Sequence, residues 1–93
     1  MKDLNYLKRW TIIFRALANI NRLKIVKFLY RDQRLHVSDI SDKLGISFKA
    51  TSNHLALLKN LNVVEAHGVA GHVFYSINQQ LASDMQKAIN LFQ

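Results

Sequence analysis

Six residues between positions 47 and 56 carry the side-chain chemistry that most narrows what this chain can bind: Ser47, Phe48, Lys49, Ser52, Asn53 and Ala56. The amide of Asn53 can pair with adenine at two points, and the ammonium group of Lys49 can donate to guanine or to a phosphate. The hydroxyl of Ser52 can bond to either, and Phe48 can touch a thymine methyl group. These side chains are suited to contact the base edges and phosphates of duplex DNA. The alternative is that these residues are the solvated face of a helix.

A helix over residues 47–60 is the element that must position these side chains. Ser47 is a favourable N-cap, because its hydroxyl can accept from an unpaired N–H group of the first turn. Thr51, Leu55 and Leu58 repeat with helical spacing and predict the buried side. The candidate residues lie off that side, near the amino end. That end meets base edges when a helix-turn-helix docks on DNA.

A shorter helix precedes this one across a glycine turn. Ser38 is its candidate N-cap, and Ile40 and Leu44 point inward. Gly45 ends it, since glycine adopts the left-handed conformation without steric cost. Together, residues 38–60 have the helix-turn-helix pattern of a short helix, a tight turn and a longer helix.

Two further helices are predicted before this motif. Residues 3–18 carry two neighbouring apolar stripes, so that two surfaces must cover the helix. One is the core of the chain, and the other can be a partner subunit. The second helix begins with Asn21 as its N-cap and runs to about Arg31.

A hairpin wing is predicted over residues 63–77. Its strands are residues 63–67 and 72–77, and residues 68–71 form the loop that joins them. Val73, Tyr75 and Ile77 alternate onto one side of the second strand.

The last predicted helix covers residues 79–92, is capped by Asn78 and has a broad apolar face. In so short a chain, such a face is a candidate for self-association. The candidate interface residues on the two terminal helices are Leu4, Leu7, Trp10, Phe14, Leu81, Met85, Ile89 and Phe92.

Length and charge limit the class of protein. Ninety-three residues, 49% of them hydrophobic, suit a single domain over residues 1–93. The formal charge is +7, and 12 of the 13 Lys and Arg residues lie in residues 1–60, which favours a polyanionic partner. There is no cysteine, no signal-peptide core and no apolar run of membrane length. We therefore expect a cytoplasmic protein with no membrane partner.

Four local motifs, spread over about residues 14–77, resemble the ArsR-type (arsenic-repressor-like) winged helix-turn-helix regulators. They stand in the order in which the family has them: Leu17-Ala18-x-x-x-Arg22-Leu23-x-Ile25, Val37-Ser38-Asp39-Ile40-Ser41-x-x-Leu44-Gly45-Ile46-Ser47, Ser52-Asn53-His54-Leu55-x-Leu57-Leu58, and Val63-Val64 followed by Gly71-His72-x-x-Tyr75. The resemblance implies a mainly α fold with a small β-hairpin, in the order α-α-α-α-β-β-α. It also implies a homodimer joined through its terminal helices.

The function implied by the resemblance is that of a repressor that binds an inverted-repeat operator and releases it when an effector arrives. The effector is not identified by the sequence. Further candidates for contacts with the DNA backbone or through the wing are Arg22, Lys43, His67 and His72. The wing departs from the family, because it holds histidines where arginines are usual. Those histidines either contact phosphates when protonated or are exposed strand residues. For His54, a structural hydrogen bond is the favoured role.

The two metal sites of the family are not preserved here. Its Cys-Val-Cys site corresponds to His36-Val37-Ser38, which lacks the thiolates that a soft metal requires. Its other site needs Asp and His pairs on the last helix, where this chain has Asp84 and no histidine. A pair formed by His67 and His72 falls short of a tetrahedral zinc set. We therefore expect no metal and no cofactor.

Enzymatic activity is not expected either. The chain has no cysteine nucleophile and no glycine-rich phosphate loop, and its closest pair of carboxylates, Asp39 and Asp42, is interpreted as charges that favour the start of a helix. The remaining alternative to a DNA-binding repressor is a winged-helix module that docks on other proteins through its apolar terminal helices.

Overall fold

The computed structural model of the protein describes residues 2–93, with side chains from residue 4 onward. The elements follow the order α1 (Lys2–Leu17), α2 (Ile20–Asp32), β1 (Arg34–His36), α3 (Val37–Leu44), α4 (Phe48–Asn60), β2 (Val64–Val69), β3 (His72–Ile77) and α5 (Ser83–Asn90). The predicted winged helix-turn-helix order is confirmed, with β1 added to it. Within the described part of the chain, no helix has the length and apolarity needed to cross a bilayer.

The sheet has three antiparallel strands in the order β1-β3-β2, whereas the sequence predicted a two-stranded hairpin. In β1, Arg34 pairs with Ser76 and His36 with Phe74. Three residues are too few for an alternating pattern to stand out from the sequence. The strand forms because the edge of β3 that faces away from β2 has backbone N–H and C=O groups without partners, and this short segment pairs with them.

The core lies between the helices and the inner face of the sheet. The predicted inward residues of the helix-turn-helix are confirmed, since Ile40, Thr51, Leu55 and Leu58 are fully buried and the half-buried Leu44 packs against the core. The largest buried side chains come from every helix and from the residue that precedes β2: Ile13, Ile25, Leu29, Ile40, Leu55, Leu58, Met85 and Ile89, with Val63 beside them.

Helix α2 begins two residues earlier than its predicted start. Its N-cap is Asn19, whose side-chain oxygen accepts from the backbone N–H groups of Asn21 and Arg22 at 2.9 and 3.2 Å. The prediction that Asn21 is the cap was therefore wrong. Both asparagines suit a cap, so that residue preference alone did not distinguish them.

Helix α3 begins at Val37, so that Ser38 lies in its first turn and is not the N-cap. The capping position belongs to His36, which ends β1 and makes no side-chain capping bond. Gly45 ends α3 in the left-handed conformation (φ 68°, ψ 31°), as predicted. Ser47 caps α4, also as predicted, with its hydroxyl accepting from the N–H group of Ala50 at 3.0 Å.

Helix α5 begins at Ser83, after an irregular segment, and the predicted cap Asn78 does not precede it directly. The side chain of Asn78 instead accepts from the N–H group of Gln80 and donates to the carbonyl of Asn62, both at 2.9 Å. Helix α5 is held against α1 by Arg9, whose Nε and Nη2 donate to the two carboxylate oxygens of Asp84 at 2.9 and 3.0 Å. The hydrogen bond from Arg9 holds the pKa of Asp84 below its ordinary value.

The wing turns over two residues, Ala70 and Gly71, where four were predicted. Strand β2 extends to Val69, which pairs directly with His72. Ala70 and Gly71 both have positive φ, 51° and 81°, as a type I′ hairpin turn requires. Alanine is an unfavourable residue for this conformation, because its Cβ crowds the following carbonyl oxygen.

The turn makes a prediction about stability. Ala70→Asn creates the Asn-Gly pair favoured in type I′ turns and should raise the free energy of unfolding by about 0.5–1 kcal/mol, measured by urea denaturation. Ala70→Val places a β-branched residue at the same positive φ and should lower it. Shifts of the same sign in the two variants would contradict the strained turn.

Candidate nucleic-acid interface

The amino end of α4 is bare. Phe48 is 62% exposed, Lys49, Asn53 and Ala56 are also exposed, and Ser52 is half-buried. The structure thus places five of the six candidate residues on one accessible surface at the start of this helix. Ser47 is exposed too, but its hydroxyl is engaged in the capping bond.

A cleft of about 420 Å³ separates this end of α4 from the wing. Phe48 and Ser52 line one side, and His36, Ser38 and His72 line the other. The junction between β1 and α3 and the tip of the wing therefore meet at the amino end of α4. Two imidazoles in this cleft lie edge to face, since the ring centroids of His36 and His72 are 5.0 Å apart at 87°.

The two wing histidines do not form a directly opposed pair. His72 pairs with Val69, and His67 pairs with Phe74. The imidazole Nε2 of His67 lies 3.1 Å from the hydroxyl of Ser76, so that only His72 reaches the cleft beside α4. Across the described residues, no three His, Cys, Asp or Glu side chains are grouped to hold a metal ion.

Arg34 supplies a cation beside the wing that its position in the sequence did not single out. Its guanidinium carbon lies 4.6 Å from the ring centroid of Phe74, on the face of the sheet that also carries His36 and His72. Arg34 did not stand out from the other basic residues because the strand that carries it was not predicted. Its position before the Leu35-His36 pair gave no periodic signal.

Arg22 has a structural role where the sequence predicted a DNA-backbone contact. Its Nε donates to the carbonyl of Ala16 at 2.6 Å, its Nη2 donates to the carbonyl of Arg15 at 3.0 Å, and its Nη1 lies 3.2 Å from Nδ1 of His54. All three nitrogens are engaged within the protein. Arg22 therefore satisfies the carbonyl end of α1 and joins it to α4.

The predicted structural hydrogen bond of His54 is confirmed by this contact with Arg22. A guanidinium group is always a donor, so that Nδ1 must accept and the ring must be neutral with its proton on Nε2. Burial and the neighbouring charge of Arg22 both lower the pKa of His54.

Lys43 is not brought together with the cleft residues. Its ammonium group lies 3.9 Å from the carboxylate of Asp32 and 5.7 Å from the ring centroid of Phe28. The side chain is thus turned toward α2.

The candidate interface residues on the terminal helices divide into two groups. Leu4, Leu7 and Phe14 are 59%, 58% and 56% exposed and form an apolar face on α1, beside the half-buried Trp10. Met85 and Ile89 are fully enclosed in the core of their own chain, which corrects their assignment to a partner surface. The half-buried members are Leu81 and Phe92.

The chain is similar to known bacterial regulatory proteins. Residues 19–66 match the family described as "Bacterial regulatory protein, arsR family". The chain is 38% identical over 78 residues to the cadmium resistance transcriptional regulatory protein CadC of Listeria innocua, covering 83% of this chain and 66% of CadC. It is 29% identical to the transcriptional repressor SdpR of Bacillus subtilis, covering 77% of this chain and 79% of SdpR. The chain thus spans about two thirds of the length of CadC.

A solved structure shows the same architecture. The homodimeric winged helix-turn-helix DNA-binding domain of Mb0332 from Mycobacterium bovis, described as a possible ArsR-family regulator, superposes with a TM-score of 0.77. It is 26% identical, and the alignment covers 95% of this chain and 78% of that domain.

The contact between Arg22 and His54 makes a prediction about pH. Because the folded-state pKa of His54 lies below its ordinary value of about 6.5, the unfolded chain binds a proton more readily. The stability contributed by neutral His54 is fully present above that value and is lost as the pH falls below it. Urea unfolding between pH 7.5 and 5.5 should show this decline.

A His54→Gln variant, whose amide oxygen can still accept from Arg22, should show a smaller decline over the same range. His67→Gln, which removes an exposed histidine elsewhere, is the matched control and should keep the decline of the original protein. Identical pH profiles for the His54→Gln variant and the original protein would refute this role of His54.

Proposed function

The chain belongs to the ArsR family of bacterial regulatory proteins, a family of DNA-binding transcriptional regulators, and we propose that it acts as a homodimeric repressor on an inverted-repeat operator. The observation that carries the proposal is the bare amino end of α4, which presents Lys49 and Asn53 to solvent while Thr51, Leu55 and Leu58 are buried. In this proposal residues 1–93 act as one DNA-binding domain.

Base reading is assigned to the exposed side of α4. Asn53 pairs with adenine in the major groove, and Lys49 donates to guanine or to a phosphate near it. Ser52 and Phe48 lie on the same surface and add a hydroxyl and a methyl-contacting ring. Ser47 and Ala56 complete the contact, Ser47 through its backbone and Ala56 by allowing close approach.

Contacts with the DNA backbone are assigned to the cleft beside α4. His36 and His72 face each other there, and Arg34 lies on the same side of the sheet. These contacts position the protein without reading sequence, and a strand preceding α3 supplies the cation that the wing itself lacks. His67 has a smaller part in this arrangement, because its ring is engaged with Ser76, and Lys43 lies outside it, because its ammonium group contacts Asp32.

Dimerisation is assigned to the apolar face of α1. Leu4, Leu7 and Phe14 are more than half exposed, and Leu91, just after α5, is 83% exposed. An exposed apolar patch of this kind marks an association surface. An inverted repeat requires a two-fold axis through this face that sets the two α4 helices on one side of the duplex, about 34–36 Å apart. Mb0332 is itself described as homodimeric.

We further propose that this regulator does not respond to cadmium or another soft metal. CadC is named as a cadmium resistance regulator, but His36-Val37-Ser38 offers one imidazole and one hydroxyl here, and the chain has no thiolate. The alternative function, docking on another protein through α1, predicts weak and non-specific binding to duplex DNA.

Selection of bound sequences from a random duplex pool tests the function directly. An operator reader should enrich an inverted repeat, and log affinity for it should fall with log salt by about 0.9 for each phosphate contacted. Failure to enrich any sequence, together with a flat salt dependence, would favour the protein-docking alternative.

Replacing Asn53 tests base reading. Asn53→Ala should weaken binding to the selected operator by about 1–3 kcal/mol and leave binding to random duplex unchanged, measured by fluorescence anisotropy at fixed salt. Asn60→Ala, at the far end of the same helix, is the matched control and should bind both duplexes normally. An equal loss on operator and random duplex would remove Asn53 from base reading.

Charged substitutions on α1 test the dimer. The protein should sediment as a dimer at micromolar concentration, and Leu7→Glu or Phe14→Glu should convert it to a monomer, because a carboxylate would be buried without a partner. Ile20→Glu changes a residue of similar exposure on α2 and should leave the dimer intact. A monomer mass for the unmodified protein in sedimentation equilibrium would contradict the assignment.

A further inference from the structure

A second concave surface lies beside α2, and its side chains differ in type from those at the exposed amino end of α4. It has a volume of about 500 Å³, in the range of small-molecule sites. We call it the α2 basic cleft. Its lining combines four cations, two aromatic rings and the end of the chain: Lys24, Lys27, Arg31, Lys43, Phe28, Tyr30 and Gln93.

The charge of this cleft is only partly compensated. Arg31 and Lys43 share the carboxylate of Asp32, with nitrogen–oxygen distances of 3.2 and 3.9 Å. Within the described residues, neither Lys24 nor Lys27 has a carboxylate within salt-bridge distance. Of the four cations, only Arg31 and Lys43 thus have a carboxylate partner in the described structure.

The arrangement of these cations opposes helix stability. Lys24 and Lys27 are three residues apart on α2, and Lys27 and Arg31 are four apart, so that like charges are neighbours on one helix face. Such pairs destabilise a helix unless an anion lies between them. The arrangement is therefore better suited to holding a polyanion than to supporting the fold.

Operator binding does not account for this cleft. Helix α4 packs on the side of α2 where Arg22 contacts His54. At 100° per residue, Lys24, Lys27 and Arg31 lie about 140–200° around α2 from Arg22. They therefore face away from the helix that is assigned to the major groove.

The cleft also offers an apolar surface. Phe28 is half-buried, and its ring centroid lies 5.4 Å from the guanidinium carbon of Arg31 and 5.7 Å from the ammonium nitrogen of Lys43. A ligand that bears only charge would leave this ring and the lysine stems unused. A planar ring joined to several negative charges would use both.

We propose that the α2 basic cleft binds a small organic polyanion carrying a planar ring, the chemistry of a nucleotide. Lys24, Lys27, Arg31 and Lys43 hold the phosphates, and Phe28 packs against the ring. Lys27 gives up its present bond of 3.1 Å to the carbonyl of Phe92 to reach the ligand. The site is separate from the exposed amino end of α4. Ligand binding there does not require that the protein bind an operator.

Calorimetric titration of the full chain with ATP, without metal or DNA, tests the site. Lys24→Glu/Lys27→Glu should weaken ATP binding by at least about tenfold, because charge-assisted hydrogen bonds are replaced by repulsion. The control Lys59→Glu/Lys87→Glu has the same net charge but alters residues outside the cleft, and should change the affinity by less than about twofold. No ATP binding by the original protein, or equal losses in both variants, would overturn the proposal.

Two further measurements distinguish ligand binding from a folding defect and from DNA binding. Phe28→Leu keeps an apolar side chain and the charge but removes the ring, and should weaken ATP binding while leaving binding of inorganic tripolyphosphate unaffected; equal effects on both would overturn the role of the ring. Lys24→Gln/Lys27→Gln should leave the salt slope of duplex DNA binding unchanged. A slope reduced by about two would instead assign these lysines to DNA phosphates and overturn the ligand site.

Discussion

The burial of one side of α4 is the constraint on which the rest of the structure depends. Thr51, Leu55 and Leu58 are fully buried, and the hydroxyl of Thr51 donates to the carbonyl of Ser47 at 2.9 Å. A helix fixed on one side has no freedom to rotate about its axis without exposing those side chains, and each buried apolar side chain contributes about 1.5–3 kcal/mol. The opposite side is therefore presented in a fixed orientation.

Polar contacts refine that orientation where apolar packing alone is not directional. Arg22 joins the carbonyl end of α1 to His54 of α4, so that the first helix and the fourth share one guanidinium. Arg9 and Asp84 make the corresponding link between α1 and α5. Helix α1 thus connects its exposed apolar face to the helix that presents the candidate base-reading residues. In a homodimer, this connection would transmit the geometry of the interface to the spacing of the two α4 helices.

The positive charge of the chain serves two surfaces on opposite sides of α2. One includes Lys49 on α4, and the other is the α2 basic cleft, whereas Arg34 lies beside the wing against Phe74. Net charge alone predicts a polyanionic partner but does not divide the cations between sites. The packing of α4 against α2 makes the division, because it places α2 between the two groups. Some of the basic residues, such as Arg22, belong to neither and are internal donors.

The sequence by itself determined the helix-turn-helix and the exposed side of α4, because helical spacing and end signals at Gly45 and Ser47 are local properties of the chain. Local reasoning also identified the strands of the wing. The tertiary structure decided what depends on distant partners. Strand β1 forms only against β3. Met85 and Ile89 are buried because α5 packs on the core of its own chain. Arg22 is engaged because it bonds both to the carbonyl end of α1 and to His54 of α4. A side chain's neighbours across the fold are not encoded in its own spacing, and for a long cation such as arginine those neighbours decide whether it is available to a ligand.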